Sequence, residues 1–341
     1  MRILATIIAL SLASPALEAP AKTEDVKLAW KFKEGDVLRY RIAQDMHQAI
    51  SGPADIEIDS SVAQVIRETV KSVSADGVAS LDCTWEAVKV HMNLPMGGDV
   101  DYDSSRGDTA GNIPAPLKGF ASLPGSKFEL EMKSNGDVTA VRGVSETMKK
   151  LLENGDAATK STRDMMQRAF TDEAMKRYLG TTVLPEKPVA VGGTWVRDAV
   201  FEMPPLGKLK AHFDFNLLGM EDARQTHCAK LGTKFELKLE GKPDLSAMPG
   251  AANFDIDMSM DGAQGEGTIF FSPEKGRMIE SSLVTDMDMS MTMKPKGEDK
   301  SEEGKMEMGI KISMKTNLAL LGADEAPFET AAKSEAPPKK K

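Results

Sequence analysis

The residues of this chain best suited to chemistry at neutral pH are few, and their spacing assembles little. His47, His91, His212 and His227 are the only histidines. No two lie three or four residues apart, the spacing that sets two zinc ligands on one helix face. His227 adjoins Cys228, but neighbours on a strand point to opposite faces. There is no GxSxG elbow, no phosphate-binding GxxxxGK[ST] loop and no HExxH. "GAQGEG" at 262–267 has the glycines of a nucleotide loop, yet it opens no helix and is read as a turn joining two strands. Asp99, Asp101 and Asp103 alternate as carboxylates do in a calcium loop, but the sixth position is Ser104, not glycine, and the twelfth is Ala110, not glutamate. Nothing joins a nucleophile, a base and an orienting group. The expectation is a non-catalytic protein with no catalytic or metal-binding residues and no cofactor.

The chain does concentrate thioethers. Eleven of its 22 methionines fall between Met248 and Met314. In "TDMDMSMTMK", Met287, Met289, Met291 and Met293 take every second position, so a strand carries them on one face. In "KMEMGIKISMK", Met306, Met308, Ile310, Ile312 and Met314 also share a face, and the isoleucines mark it as apolar. Alternating carboxylates such as Asp286 and Asp288 then belong to the solvated face. Three readings stay open. Methionine fills irregular gaps in a core. It also lines cavities for a lipid or other apolar ligand. M-x-M pairs in exported proteins hold copper(I) through soft sulfur. If a pocket exists, Met287, Met289, Met291, Met308 and Ile310 form its wall, and Met166 and Phe170 its lid.

Period-two alternation runs through most of the chain and predicts the elements that position these residues. Strands are expected at 26–32, 36–50, 56–73 and 77–94, then a polar loop from 95 to 126. A hairpin turning at Asn135-Gly136 follows. Residues 145–154 and 161–179 lose the alternation and read as helices. In the second, Met166, Phe170, Ala174 and Tyr178 form one stripe, with Thr171 as a cap midway and Gly180 as a stop. Strands resume at 194–203, 208–221, 226–241, 252–261, 266–272, 277–294 and 305–321. The fold class is mainly β: a large, curved antiparallel sheet, half-barrel or barrel-like, with a helical pair inserted at about 145–179. Residues 22–321 are read as one β-rich domain. Two similar halves, 26–141 and 194–321, are an open alternative. The Ala-, Pro-, Lys- and Glu-rich tail 322–341 is expected to be disordered.

Residues 1–21 have the pattern of a signal peptide: Arg2, an apolar run from Ile3 to Leu12, then small residues. The expectation is an exported protein, periplasmic or extracellular, with no transmembrane segment. A net charge of −9 argues against nucleic acid. Two cysteines, Cys83 and Cys228, are compatible with one disulfide or with two buried thiols.

"LAWKFKEGDVLRYRI", "VDYDSSRGD", "FELEMKSNGDVTAVRG" and "LPEKPVAVGGTW" occur in that order. Together they resemble an uncharacterised bacterial family of exported β-rich proteins, a domain of unknown function. The resemblance spans nearly the whole mature chain, implies a β-rich fold and transfers no catalytic residue. In shape the expected architecture also resembles the half-barrels of periplasmic lipoprotein carriers, which bind acyl chains on a concave face under helices. The expected roles are binding of an apolar ligand or envelope component, copper(I) binding through M-x-M methionines, or a structural place in the envelope.

Overall fold

Long alternating segments need partners along both edges and cover on one face, and here a single antiparallel sheet supplies the partners. The computed structural model describes residues 25–53, 55–94, 98–107, 113, 117–154, 167, 170–181, 184–203, 207–241, 254–296 and 305–328. Its strands are β1 (Val37–Ser51), β2 (Ile56–Val73), β3 (Ala79–Leu94), β4 (Gly98–Asp103), β5 (Lys127–Met132) and β6 (Val138–Arg142). After two helices come β7 (Thr194–Met203), β8 (Gly207–Ala223), β9 (Thr226–Glu240), β10 (Phe254–Ser272), β11 (Arg277–Pro295) and β12 (Met306–Leu320). The order across the sheet is β6-β5-β3-β2-β1-β12-β11-β10-β9-β8-β7, with β4 beside β3. β1 thus pairs with β12, the first strand with the last.

The sheet is open, with β6 and β7 as its edges. The helices with described bounds are α1 (Val144–Asn154) and α2 (Asp172–Leu179). α2 packs on both edge strands and so bridges the seam. Arg177 of α2 reaches Glu202 of β7 at 3.9 Å, and Arg197 of β7 reaches Asp137 beyond β5 at 3.5 Å. Asp172 joins the two helices by accepting from the backbone N–H groups of Gly143 and Ser145 and from the Ser145 hydroxyl. That load of donors holds its carboxyl below the usual aspartate range, against the opposing effect of burial.

One end of the curved sheet is plugged by residues 26–32. Val26 bridges Val189, Trp30 N–H donates to the Ser134 carbonyl, and Lys31 N–H to that of Gly276. Leu28 is 1% exposed, and Trp30 stacks on Phe32 and meets Phe271 edge-on. Two apolar clusters fill the concave face on either flank. One joins Val70, Leu81, Cys83, Val88 and Val90 to Tyr102, Leu117, Phe128 and Leu130. The other joins Leu28, Leu184, Phe215, Leu217, Leu231 and Phe271.

Several expectations are corrected. Residues 26–32 form one bridge and single backbone bonds rather than a strand, because they cross strand ends instead of running beside an edge. "GAQGEG" is no turn, since β10 runs unbroken from Phe254 to Ser272 with a bulge near Asp261. Two of its glycines serve close approach: a Cβ on Gly265 would enter the Phe235 ring, and one on Gly267 would meet Ser282 and Leu283. The polar loop 95–126 contains β4. Of the helix expected at 161–179 the described part is Asp172–Leu179, capped as expected by the Thr171 hydroxyl, which accepts from Ala174 N–H, with Phe170 just before it; residues 161–166, Met166 among them, and 168–169 lie outside the described residues. Residues 322–328, expected in the tail, pack on the sheet, with Leu321 and Phe328 buried against Val65 and Ala87. Of the two alternatives open for the cysteines, the second holds: Cys83 and Cys228 are separate buried thiols. Residues 1–24 and 329–341 lie outside the described residues.

Candidate functional site: a methionine-rich concave face

Register carries the methionine rows across neighbouring strands. Met258 of β10 faces Met291 of β11, which faces Met308 of β12. The next row is Met260–Met289–Ile310–Ile50–Ile56, and the one after is Ala263–Met287–Ile312–Gln48–Ile58. Facing pairs point to one side of a sheet. This side continues the concave face that the two apolar clusters fill. Met287, Met289, Met291, Met308 and Ile310 therefore lie together. Only Met291 is buried, at 9% exposure, and the other four are half-buried. The expected lid residue Phe170 is 38% exposed and precedes α2, which packs on β6, β7 and α1.

The same half-burial continues down the middle of the concave face. Ile42, Gln44 and Met46 of β1, Val62 and Gln64 of β2, Leu283 of β11, and Met314, Thr316 and Leu318 of β12 are all intermediate. The flanks are packed, whereas the lane between them is only partly covered. The lane has some polarity. The Gln44 amide donates to Thr316 Oγ1 at 3.5 Å, and Gln64 accepts from Trp85 Nε1 at 2.9 Å.

At the plugged end, Glu68 lies in register between Leu38 of β1 and Cys83 of β3. It shares the concave side with Ile66 and Val70. Among the described residues it makes no hydrogen bond or ion pair. Loss of water pushes its carboxyl up to about 7. Its neighbour Tyr40 is buried, donates to the Met278 carbonyl at 3.3 Å, and has a phenol held well above the usual range by burial. Alternation in β2 marks Glu68 as an inward carboxylate, but no sequence motif flags a single glutamate.

The histidines are occupied on the exposed side. Each faces an aspartate directly across a strand pair: His47 with Asp59 at 2.8 Å, His91 with Asp101 at 2.9 Å, His212 with Asp198 at 2.6 Å and His227 with Asp222 at 2.9 Å. The hydrogen bond to the carboxylate raises the pKa of His47 and of His212. Among the described residues no three His, Cys, Asp or Glu side chains cluster as a metal site. No helix among them is long and apolar enough to cross a membrane. A separate cleft, lined by Ser126, Lys127, Glu146, Thr147 and Lys150, is open and polar.

Residues 76–276 match the model described as a family of unknown function. No curated protein matches the sequence. Among solved structures, one of lipid–protein interactions in lipovitellin is 11% identical at a TM-score of 0.43; the match covers 89% of this chain and 27% of that one, so this chain spans little more than a quarter of its length. DynF from the dynemicin biosynthesis pathway of Micromonospora chersina is 7% identical at a TM-score of 0.19, covering 94% of this chain and 96% of its own. The β domain of the Bordetella autotransporter BrkA is 10% identical at 0.21, covering 83% and 98%. At these scores the likenesses carry no argument about ligand or role.

Proposed function

The chain belongs to that family of unknown function, DUF6263, and on this premise we propose that it is an exported, non-catalytic binding protein that holds an apolar ligand along the middle of its concave face. The observation that carries the reading is the contrast between packed flanks and a half-buried apolar lane between them. Partly covered apolar surface costs free energy at about 25 cal/mol per Å². A bound hydrocarbon recovers that cost, and flexible thioethers adapt to its shape. The scarcity of assembled nucleophiles and bases supports binding over catalysis. The N-terminal sequence supports export.

The test is native mass spectrometry of protein exported by a bacterial host, followed by extraction into organic solvent. An extractable mass lost on Met289→Asp supports the reading. A bare chain that also fails to bind dodecyl amphiphiles in titration leaves a structural envelope role in its place.

A second reading rests on the row Met258–Met291–Met308. Three thioethers from adjacent strands in one register supply a soft donor set of the kind copper(I) prefers. Copper(I) competition against a colorimetric chelator separates it. Stoichiometric retention that Met291→Leu abolishes supports it, and no retention removes it.

A further inference from the structure

The lane ends at a carboxyl. Glu68 stands on the concave side of β2, flanked along the strand by Ile66 and Val70 and across it by Leu38 and Cys83. All four neighbours are apolar or a thiol, and the nearest phenol, Tyr40, already donates to Met278. Glu68 is half-buried and has no hydrogen-bonding or ionic partner among the described residues. A carboxyl so placed is costly unless something satisfies it. Two other polar side chains of the concave face do find partners within the sheet: Gln64 takes the Trp85 N–H, and Gln44 reaches Thr316.

We propose that Glu68 is the polar terminus of the lane and receives the donor head, an ammonium or a hydroxyl, of a long-chain amphiphile. The idea rests on the lane's being a ligand site. From Leu38, opposite Glu68, eight residues of β1 lead to Met46, about 27 Å of strand at roughly 3.4 Å per residue. Over that length Ile42, Leu318, Val62 and Leu283 offer hydrocarbon contact before the first methionine row. A carboxylate head is disfavoured there, since two like charges in a poorly hydrated space repel. A cationic head gains both a hydrogen bond and a charge pair in low dielectric.

The experiment titrates the full mature chain at pH 8 with dodecylamine, dodecanol and dodecanoate, read by tryptophan fluorescence and calorimetry. Wild type is compared with Glu68→Gln, which keeps the shape, and with Met289→Asp, which spoils the wall. The expected order in wild type is amine and alcohol at least tenfold tighter than dodecanoate. In Glu68→Gln the amine weakens at least tenfold and dodecanoate does not. Equal affinity for amine and dodecanoate in wild type, or an unchanged preference in Glu68→Gln, overturns the role of Glu68 while leaving the lane as a binding site. Absence of binding by all three amphiphiles overturns the lane reading itself, and this inference with it. Circular dichroism of both variants establishes folding, and a Glu68→Asp variant, which withdraws the carboxyl by one methylene, provides an intermediate preference if Glu68→Gln does not fold.

Discussion

Glu68 sits where ionisation costs free energy, so it should leave a mark on stability. Its folded pKa, about 7, lies above the ordinary glutamate value of 4.5. Below pH 4.5 both states hold the proton. As pH climbs from about 4.5 to about 7 the unfolded chain gives it up first, and native stability falls. Well above 7 the loss levels off, below a ceiling of about 3–4 kcal/mol because the side chain is partly solvated. The charged and titratable groups around it are Tyr40, Cys83 and, through Tyr40, Arg277. Glu68→Gln should therefore gain stability over wild type at pH 8 and little at pH 4, read from urea midpoints at the two values. Equal gains at both pH values would remove Glu68 as the source. The raised His47 and His212 push in the same direction, because their contribution is present below 6.5 and lost as pH rises through their folded values. They remain in the glutamine variant, so the difference between proteins isolates Glu68. Cys83 offers a second residue-scale expectation. Burial drives its thiol far upward, so it is neither nucleophilic nor paired. Maleimide should leave Cys83 unlabelled in native protein and label it in urea, and a reductant should not move the melting temperature.

At the scale of elements, Gly265 sets how β9 and β10 pack. A methyl group there would occupy the space of the Phe235 ring. Gly265→Ala should cost about 1–3 kcal/mol by overpacking, measured by denaturant melting, whereas Gly262→Ala, where the space is open, should cost far less. The same glycines explain how far the sequence could be read. Period two located most strands to within a residue or two and grouped Met287, Met289, Met291 and Met293 on one face. It failed at "GAQGEG", because a glycine needed for a turn and a glycine needed for close approach look alike in sequence. It failed again at 26–32, which alternates like a strand but plugs an end. Above all, register is a relation between distant segments. Nothing in "TDMDMSMTMK" or "NFDIDMSMDG" says that Met258 meets Met291, or that the face continues into Ile50 and Ile56. Glu68 was hidden for the same reason, since its isolation depends on what β1 and β3 fail to place beside it.

At the scale of the whole molecule, the open sheet keeps its curvature through ties made far from the lane. The strand order joins β1 to β12, so the segment after β12 runs across the back of the first strand. Arg39 of β1 holds it there. Its guanidinium forks onto Glu86 at 2.6 and 2.9 Å and donates to the carbonyls of Gly322, Ala323 and Glu325. Arg224, in the β8–β9 turn, grips the Glu325 carboxylate from the other side at 2.6 Å. Arg39 thus links β1, β3 and the final segment, while Arg224 links that segment to β8 and β9, so the clasp spans both halves of the sheet. Arg39→Ala removes five charge-assisted bonds and leaves Glu86 facing Arg67 alone. The expected cost is about 2–3 kcal/mol. The loss should be local first: residues 321–328 should lose hydrogen-exchange protection and Phe328 should leave its seat on Val65 and Ala87, while β8 to β10 keep theirs. Arg39→Lys should recover little, because an ammonium cannot hold a bidentate carboxylate and three carbonyls together. If exchange instead rises evenly over the sheet, the clasp is part of the cooperative core and not a strap on its outer face.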